Sequence, residues 1–174
     1  MKKWLMHFYY LYLMPFTYYK TPVGTCQITE EDGFITRVHI LDEEHNPTEA
    51  ETSLMKQVLT EFDEYFAGTR RTFTFPIKQG GSDFQQLVWQ ELLNIDYGKT
   101  ITYSQQSNLM KNPLAIRAIA AANGKNNLWV VVPCHRVIGS NGSLTGYAGG
   151  IWRKKWLLDH EARVIGVGQT KLEL

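Results

Sequence analysis

The sequence predicts an α+β fold: a small N-terminal domain with an antiparallel sheet and a helix, followed by a mostly helical C-terminal domain. Three observations predict it. Residues 18–41 hold short runs rich in β-branched and aromatic residues, separated by turn-forming stretches. From residue 52 onward, apolar residues recur mostly at helical spacing behind capping residues. Gln79-Gly80-Gly81 reads as a linker close to where the charge balance changes sign. Residues 1–95 carry 8 Lys/Arg against 13 Asp/Glu, a balance of −5, and residues 96–174 carry 10 against 4, a balance of +6. The expected division is residues 1–81, with 1–14 as an extension, and residues 82–174.

The elements follow in order. Met1-Lys2-Lys3 and the apolar run behind it resemble a signal peptide only superficially, because the run lacks a small-residue cleavage site and is too short to span a bilayer. Tyr18-Tyr19-Lys20, residues 25–29 and residues 34–41 predict strands, with turns at Thr21-Pro22-Val23-Gly24 and Glu31-Asp32-Gly33. Residues 42–51 are acidic, include Pro47 and lack periodicity, which marks a loop. Thr52 or Ser53 caps a helix carrying Leu54, Val58, Phe62, Tyr65 and Phe66, which stops at Gly68. Phe73, Phe75 and Ile77 alternate with threonine and proline and predict one more short strand. Ser82-Asp83-Phe84-Gln85 has the capping-box order, and Phe84, Leu87, Val88 and Leu92 are expected on one face. Residues 102–110 predict a short helix. Asn112-Pro113 reads as the N-cap and first turn of an alanine-rich one, so the two form a helix-turn-helix. A last helix begins near Ile151.

The chemistry concentrates in Pro133-Cys134-His135-Arg136-Val137, behind the apolar run Leu128-Trp129-Val130-Val131-Val132. That run predicts a buried strand or core segment whose hydrogen bonding the proline ends, which places the Cys134 thiol at an edge. Only the thiolate is nucleophilic, so Cys134 needs a base or a cation beside it, and adjacency to His135 does not by itself supply one. Hydrophobic residues are 44% and charged residues 20%, which excludes a disordered chain. Cys26 and Cys134 cannot form a disulfide framework, and a free nucleophilic thiol implies an intracellular, cytoplasmic location. Cys26, in a predicted strand, reads as a small hydrophobe. With His7, His39 and His45 it matches no zinc spacing, so no metal site is expected.

Val132-Pro133-Cys134-His135-Arg136-Val137-Ile138-Gly139, then Gly146-Tyr147-Ala148-Gly149-Gly150, then Lys154-Lys155-Trp156-Leu157-Leu158-Asp159-His160-Glu161 resemble the active-site region of the O6-alkylguanine-DNA alkyltransferases. The resemblance continues upstream through Phe84-Gln85, Val88-Trp89, Tyr97-Gly98, Thr100, Tyr103, Arg117-Ala118 and Ala122-Asn123-Gly124, and covers residues 84–161. It implies DNA repair by irreversible, single-turnover transfer of the alkyl group from guanine O6, and less readily from thymine O4, to Cys134 after base flipping. It implies no cofactor, a monomer without an obligatory protein partner, and double-stranded DNA containing O6-alkylguanine as substrate. Carried onto this chain, His135 takes the Cys134 proton through a water, and Glu161 orients and charges the imidazole. Arg117 enters the vacated base stack, and Tyr103 lies near the flipped nucleotide. Asn126 ties the helical segment to the active-site segment, Tyr147, Ala148 and Gly149 line the alkyl pocket, and backbone groups there and at Val137 read the guanine edge.

The chain departs from the family pattern at Asp96, expected to loosen the turn before Tyr97-Gly98, and at Lys99, Asn127 and Trp129, the last two bearing on pocket shape. Two other readings compete. A binding-only relative would lack the reactive cysteine that Cys134 supplies. A Cys/His/Glu thiol hydrolase would leave the Arg117 helix and the basic half without a role.

Overall fold

The computed structural model describes residues 15–166; the N-terminal extension lies outside them. Strands β1 (Phe16–Thr21), β2 (Gly24–Glu31) and β3 (Phe34–Ile40) form an antiparallel sheet in the order β1-β2-β3. The β2–β3 turn places both Asp32 (φ 51°) and Gly33 (φ 77°) in the left-handed region, as a two-residue hairpin loop requires. Cys26 and Ile28 of β2 and Ile35, Val38 and Ile40 of β3 are buried. Cys26 therefore packs as a core residue, and burial pushes its thiol up to about 12.

Helix α1 (Ser53–Phe66) is capped by Thr52, whose side chain accepts the Met55 N–H. It buries Met55, Val58, Phe62 and Tyr65. Each such side chain removed from water stabilises the fold by roughly 1.5–3 kcal/mol. Phe73 and Phe75 pack on Phe62, but they do not form the expected strand. Only Ile77 makes a bridge, to Ile35, because Ile35 N–H and Lys78 N–H bond across at a single point and the proline at 76 has no N–H to extend the ladder.

Helix α2 (Asp83–Leu93) starts at the Ser82 capping box. Its buried face is Val88, Trp89 and Leu92; Leu87 is 58% exposed, contrary to expectation, and Trp89 takes its place by donating its indole N–H to the Ala122 carbonyl at 3.0 Å. Strand β4 (Ile101–Thr102) leads directly into α3 (Tyr103–Leu109), which has a second capping box at Thr102. Helix α4 (Ile116–Asn123) begins later than Asn112-Pro113 predicted. Asn112 instead accepts the Ala115 N–H in a separate turn, leaving Leu114 on the surface at 96% exposure. Helices α3 and α4 are held together by Asn123 Nδ2 donating to Gln106 Oε1 at 2.9 Å, giving the helix-turn-helix.

A short 3-10 turn (Cys134–Arg136) precedes β5 (Val137–Ile138), which pairs in parallel with β4, and α5 (Ile151–Val164) closes the described chain. One hydrophobic cluster runs through both halves, joining Ile28, Val38 and Phe62 to Leu92, Leu128 and Leu157. Among the described residues no helix is long and apolar enough to cross a membrane.

Candidate active site

Of the two forms expected for the run into Cys134, a strand or a core segment, the structure shows a buried core segment built from turns. Val38 N–H donates to the Asn127 carbonyl at 2.8 Å and Trp129 N–H to the Val38 carbonyl at 2.9 Å, making one parallel bridge at Leu128. The chain then coils. Val131 N–H bonds the Trp129 carbonyl at 2.8 Å around Val130 (φ 63°), and Cys134 N–H bonds the Val132 carbonyl at 2.8 Å around Pro133 (φ −82°, ψ 60°). The second is an inverse γ-turn that the proline ring favours; the first is its strained counterpart, costing about 1–3 kcal/mol for a β-branched residue. The run is buried as its composition requires, but composition does not dictate the backbone path.

Asn126 holds this coil in place. Its Oδ1 accepts from Leu128 N–H at 2.9 Å and from Gln79 Nε2 at 3.1 Å, while its Nδ2 donates to the Val132 carbonyl at 2.7 Å. The same Nδ2 lies 3.3 Å from Cys134 Sγ. Burial raises the Cys134 pKa, and the Asn126 bond and the Lys154 cation oppose that rise. The thiol therefore needs an acceptor for its proton.

His135 is fully buried in the 3-10 turn, and its Nε2 sits 2.9 Å from Glu161 Oε1. Burial lowers the imidazole pKa below its ordinary value, and Glu161 offsets this only in part, so the ring is neutral at pH 7. With Nε2–H donating to the carboxylate, Nδ1 carries the free lone pair, and no group among the described residues bonds it. Burial pushes the Glu161 carboxyl up, but His135 and Arg136 outweigh it and hold the group ionised well below the usual carboxylate range. Its oxygens are crowded with donors. Oε1 receives His135 Nε2, Arg136 Nη2 at 2.9 Å and the Tyr65 hydroxyl at 2.8 Å; Oε2 receives Arg136 Nε at 3.0 Å and Gly98 N–H at 2.9 Å.

The turn that supplies the Gly98 N–H is closed by Lys99 N–H on the Asp96 main-chain carbonyl at 3.1 Å, and Asp96 itself is exposed. Gly98 adopts φ 72°, and a Cβ there would lie 2.6 Å from Ile165 Cδ1, which restricts the position to glycine. Lys99 is exposed.

Residues 145–150 form the loop before α5. Tyr103, on the first turn of α3, reaches it by donating to the Thr145 carbonyl at 3.4 Å. Burial raises the pKa of Tyr103 and Tyr147, and Cys134 adds to the rise in each, so both phenols stay protonated near the thiol. Ala148 is exposed and Gly149 buried. A Cβ on Gly149 would come within 3.1 Å of Ile40, 3.2 Å of Tyr147 and 3.3 Å of Trp129, which makes this the tightest part of the loop and brings Trp129 into its wall. The Gly149 carbonyl accepts Arg153 Nη1 at 2.9 Å, while the same guanidinium donates to the Val23 carbonyl at 2.9 Å and the Leu41 carbonyl at 3.2 Å. Val137 uses its carbonyl to accept Lys154 Nζ at 2.6 Å. Lys154 is fully buried, and burial draws its pKa down to about 8 although Cys134 pulls the other way.

Arg117 is exposed on the first turn of α4 and makes no ion pair or side-chain hydrogen bond among the described residues. The structure thus leaves it apart from the Cys134, His135, Glu161 and Asn126 group, in which His135 and Glu161 are buried and Cys134 and Asn126 partly exposed. It also divides the basic residues of the second half. Arg136, Arg153 and Lys154 are buried and committed to internal acceptors, which leaves Lys99, Lys111, Arg117, Lys125 and Arg163 as the exposed cations among the described residues. Among the same residues no cluster of His, Cys, Asp and Glu could hold a metal ion.

Four members of the site had no role in the sequence reading: Arg136, Lys154, Gly98 and Tyr65. Arg136 and Lys154 stand inside the recognised motifs, where their charge was counted toward a polyanionic partner and not toward internal pairs. Tyr65 lies 96 positions from the carboxylate it bonds, and nothing local signals that contact.

Comparison with known proteins gives one consistent result. Residues 14–79 match the ribonuclease-like domain of 6-O-methylguanine DNA methyltransferase, and residues 83–163 match the DNA binding domain of the same family. A constitutive methylated-DNA–protein-cysteine methyltransferase of Bacillus subtilis is 42% identical over 142 residues, which is 77% of this chain and 86% of that protein. The Haemophilus influenzae protein of the same name is 36% identical, covering 84% of this chain and 85% of its own. The crystal structure of Mycobacterium tuberculosis OGT in complex with DNA superposes with a TM-score of 0.77 at 35% identity, covering 86% of this chain and 93% of that one.

Proposed function

The chain belongs to the 6-O-methylguanine DNA methyltransferase family, and on that premise we propose that it repairs DNA by moving the methyl group of O6-methylguanine onto its own Cys134. The observation that carries this reading is the Asn126, Cys134, His135 and Glu161 group: a thiol held by one amide, beside a neutral buried imidazole whose far nitrogen is bonded to an ionised carboxylate.

The reaction is a displacement at carbon. Proton transfer from Cys134, relayed through a water to His135 Nδ1, generates the thiolate, and Glu161 stabilises the imidazolium that forms. The Asn126 amide and the Lys154 cation stabilise the sulfur anion. Sulfur forms a bond to the methyl carbon as the carbon–O6 bond breaks; the base keeps that electron pair, takes up a proton and is restored as guanine. No cofactor enters. The thioether has no resolving thiol, since Cys26 is buried in the sheet, so each chain reacts once. O4-alkylthymine presents the same alkyl–oxygen bond and reacts less readily.

A base in a duplex must leave the stack to reach a sulfur this deeply placed. Exposed on α4, Arg117 fills the gap, Tyr103 and Val137 border the flipped nucleotide, and Tyr147, Ala148 and Gly149 line the alkyl side. Residues 82–174 form the DNA-binding and transfer domain and residues 1–81 its N-terminal partner. The chain acts as a monomer in the cytoplasm, where a free thiol persists.

Mass spectrometry of the protein after exposure to duplex DNA containing O6-methylguanine tests the reading. One methyl group on the Cys134 peptide, reaching one equivalent per active chain and no further, is expected; methyl on Cys26 or continued turnover would overturn it. Arg117→Ala should slow repair of duplex DNA on the order of 10- to 100-fold, while repair of the free base or a single strand changes little, because only the duplex must be opened. Equal losses on all three substrates would remove Arg117 from base flipping.

A further inference from the structure

The N-terminal half contributes a side chain to the reaction centre. Tyr65, in the last turn of α1, is fully buried and directs its hydroxyl at Glu161 Oε1 from 2.8 Å, the same oxygen that faces His135 Nε2. Its orientation is enforced on both sides. The Tyr65 carbonyl accepts His160 Nε2–H at 2.9 Å, and its ring packs against Phe66, Phe73, Tyr97 and His160 with centroids 5.2–5.8 Å apart. A phenol that served only as packing would not need its one polar atom aimed at a carboxylate already receiving four other donors.

We propose that Tyr65 is a positioning residue of the transfer reaction, whose hydroxyl, supplied by α1, sets the proton affinity of His135 through Glu161. Resting on the assignment of His135 as proton acceptor made above, the argument is one of competition. Each donor on Oε1 withdraws electron density from the oxygen that stabilises the imidazolium, so a hydroxyl there weakens the base, and its removal strengthens it. Burial and Glu161 keep the Tyr65 phenol protonated, so it remains a donor at every pH of interest. The other charged and titratable groups around Tyr65 and the pair are Arg136 and Cys134 on the 3-10 turn, Lys154 and His160 on α5, Tyr147 in the loop before it and Tyr97 ahead of β4. None of these changes when Tyr65 does.

The sign follows. Transfer requires neutral His135 and falls as acid protonates it, so the acid limb of the rate profile tracks the His135 and Glu161 pair. Tyr65→Phe leaves Glu161 held by Arg136 and Gly98 but removes one of the two donors that compete with His135 for Oε1, and the limb should move to higher pH by about half to one unit. Replacing Tyr65 site-specifically with 3-fluorotyrosine, a more acidic and stronger donor of nearly the same size, should move it to lower pH. Nitrogen NMR of labelled His135 reads the same two shifts without any transfer taking place. If His135 is not the proton acceptor, the rate profile will fail to follow its NMR titration in the unmodified protein, while the NMR shifts still judge Tyr65. An imidazole titration that stays fixed in both variants, whatever happens to the melting temperature, makes Tyr65 a packing residue and overturns the proposal.

Discussion

Cys134→Ser is expected to abolish methyl transfer, by on the order of 10⁴- to 10⁶-fold, while duplex binding remains close to that of the unmodified protein. The loss is chemical. A serine hydroxyl loses its proton far less readily than a thiol, burial weakens His135 as a base, and oxygen is a poorer nucleophile than sulfur toward a methyl carbon. The fold should tolerate the change, because the smaller oxygen occupies a partly exposed position and can still accept from Asn126 Nδ2. Affinity should persist because the attraction to phosphate depends on exposed cations such as Arg117, and Cys134→Ser removes none of them. Single-turnover transfer and filter binding on the same preparation check both halves. Residual methyl transfer in the serine variant would locate the nucleophile elsewhere.

How much of this was legible in the sequence differs by element. The three strands, a cap at Thr52 or Ser53 and the Ser82 capping box could be read because each depends on residues within a few positions of one another. Cys134, His135 and Asn126 stand within nine positions, and the motif series around them identifies the region. Glu161 was promoted from surface charge only by the motif before it, and the structure gives the physical reason for its burial: five donors converge on it from three separate stretches of chain. Those stretches are distant in sequence, so no periodicity or spacing could announce them. The failures are of the same kind. The run at residues 128–132 was expected as a buried strand or core segment; its burial was inferred correctly, but its path depends on two hydrogen bonds to Val38 and on the Asn126 side chain, which composition does not announce. The late start of α4 depends on Asn112 closing its own turn, a local choice that the Asn-Pro signal describes equally well. The charge count of the second half overstated the surface, since Arg136, Arg153 and Lys154 are spent inside.

Glu161→Gln should damage the fold as well as the chemistry, which Cys134→Ser does not. The carboxylate accepts three donors on Oε1 and two on Oε2; an amide keeps one acceptor oxygen and presents N–H groups where the other stood. If the new oxygen takes the Oε1 side, the amide nitrogen faces Arg136 Nε and Gly98 N–H, donor against donor. If it takes the Oε2 side, the nitrogen faces Tyr65, Arg136 Nη2 and His135, and His135 can relieve its own clash only by moving its proton to Nδ1. That is the nitrogen that must accept from Cys134, so the rescue of the hydrogen bond disables the base. Either orientation leaves the buried Arg136 guanidinium without its counter-charge. Breaking a buried pair costs about 3–5 kcal/mol, which for a chain of this size lowers the melting temperature by roughly 10 °C. Transfer should slow by about 10³- to 10⁴-fold in the fraction that remains folded, the scale on which a wrong imidazole tautomer acts. Thermal melts and single-turnover rates below the variant's melting range separate the two effects. A variant that melts with the unmodified protein and transfers at its rate would show that neither Arg136 nor His135 depends on the Glu161 charge.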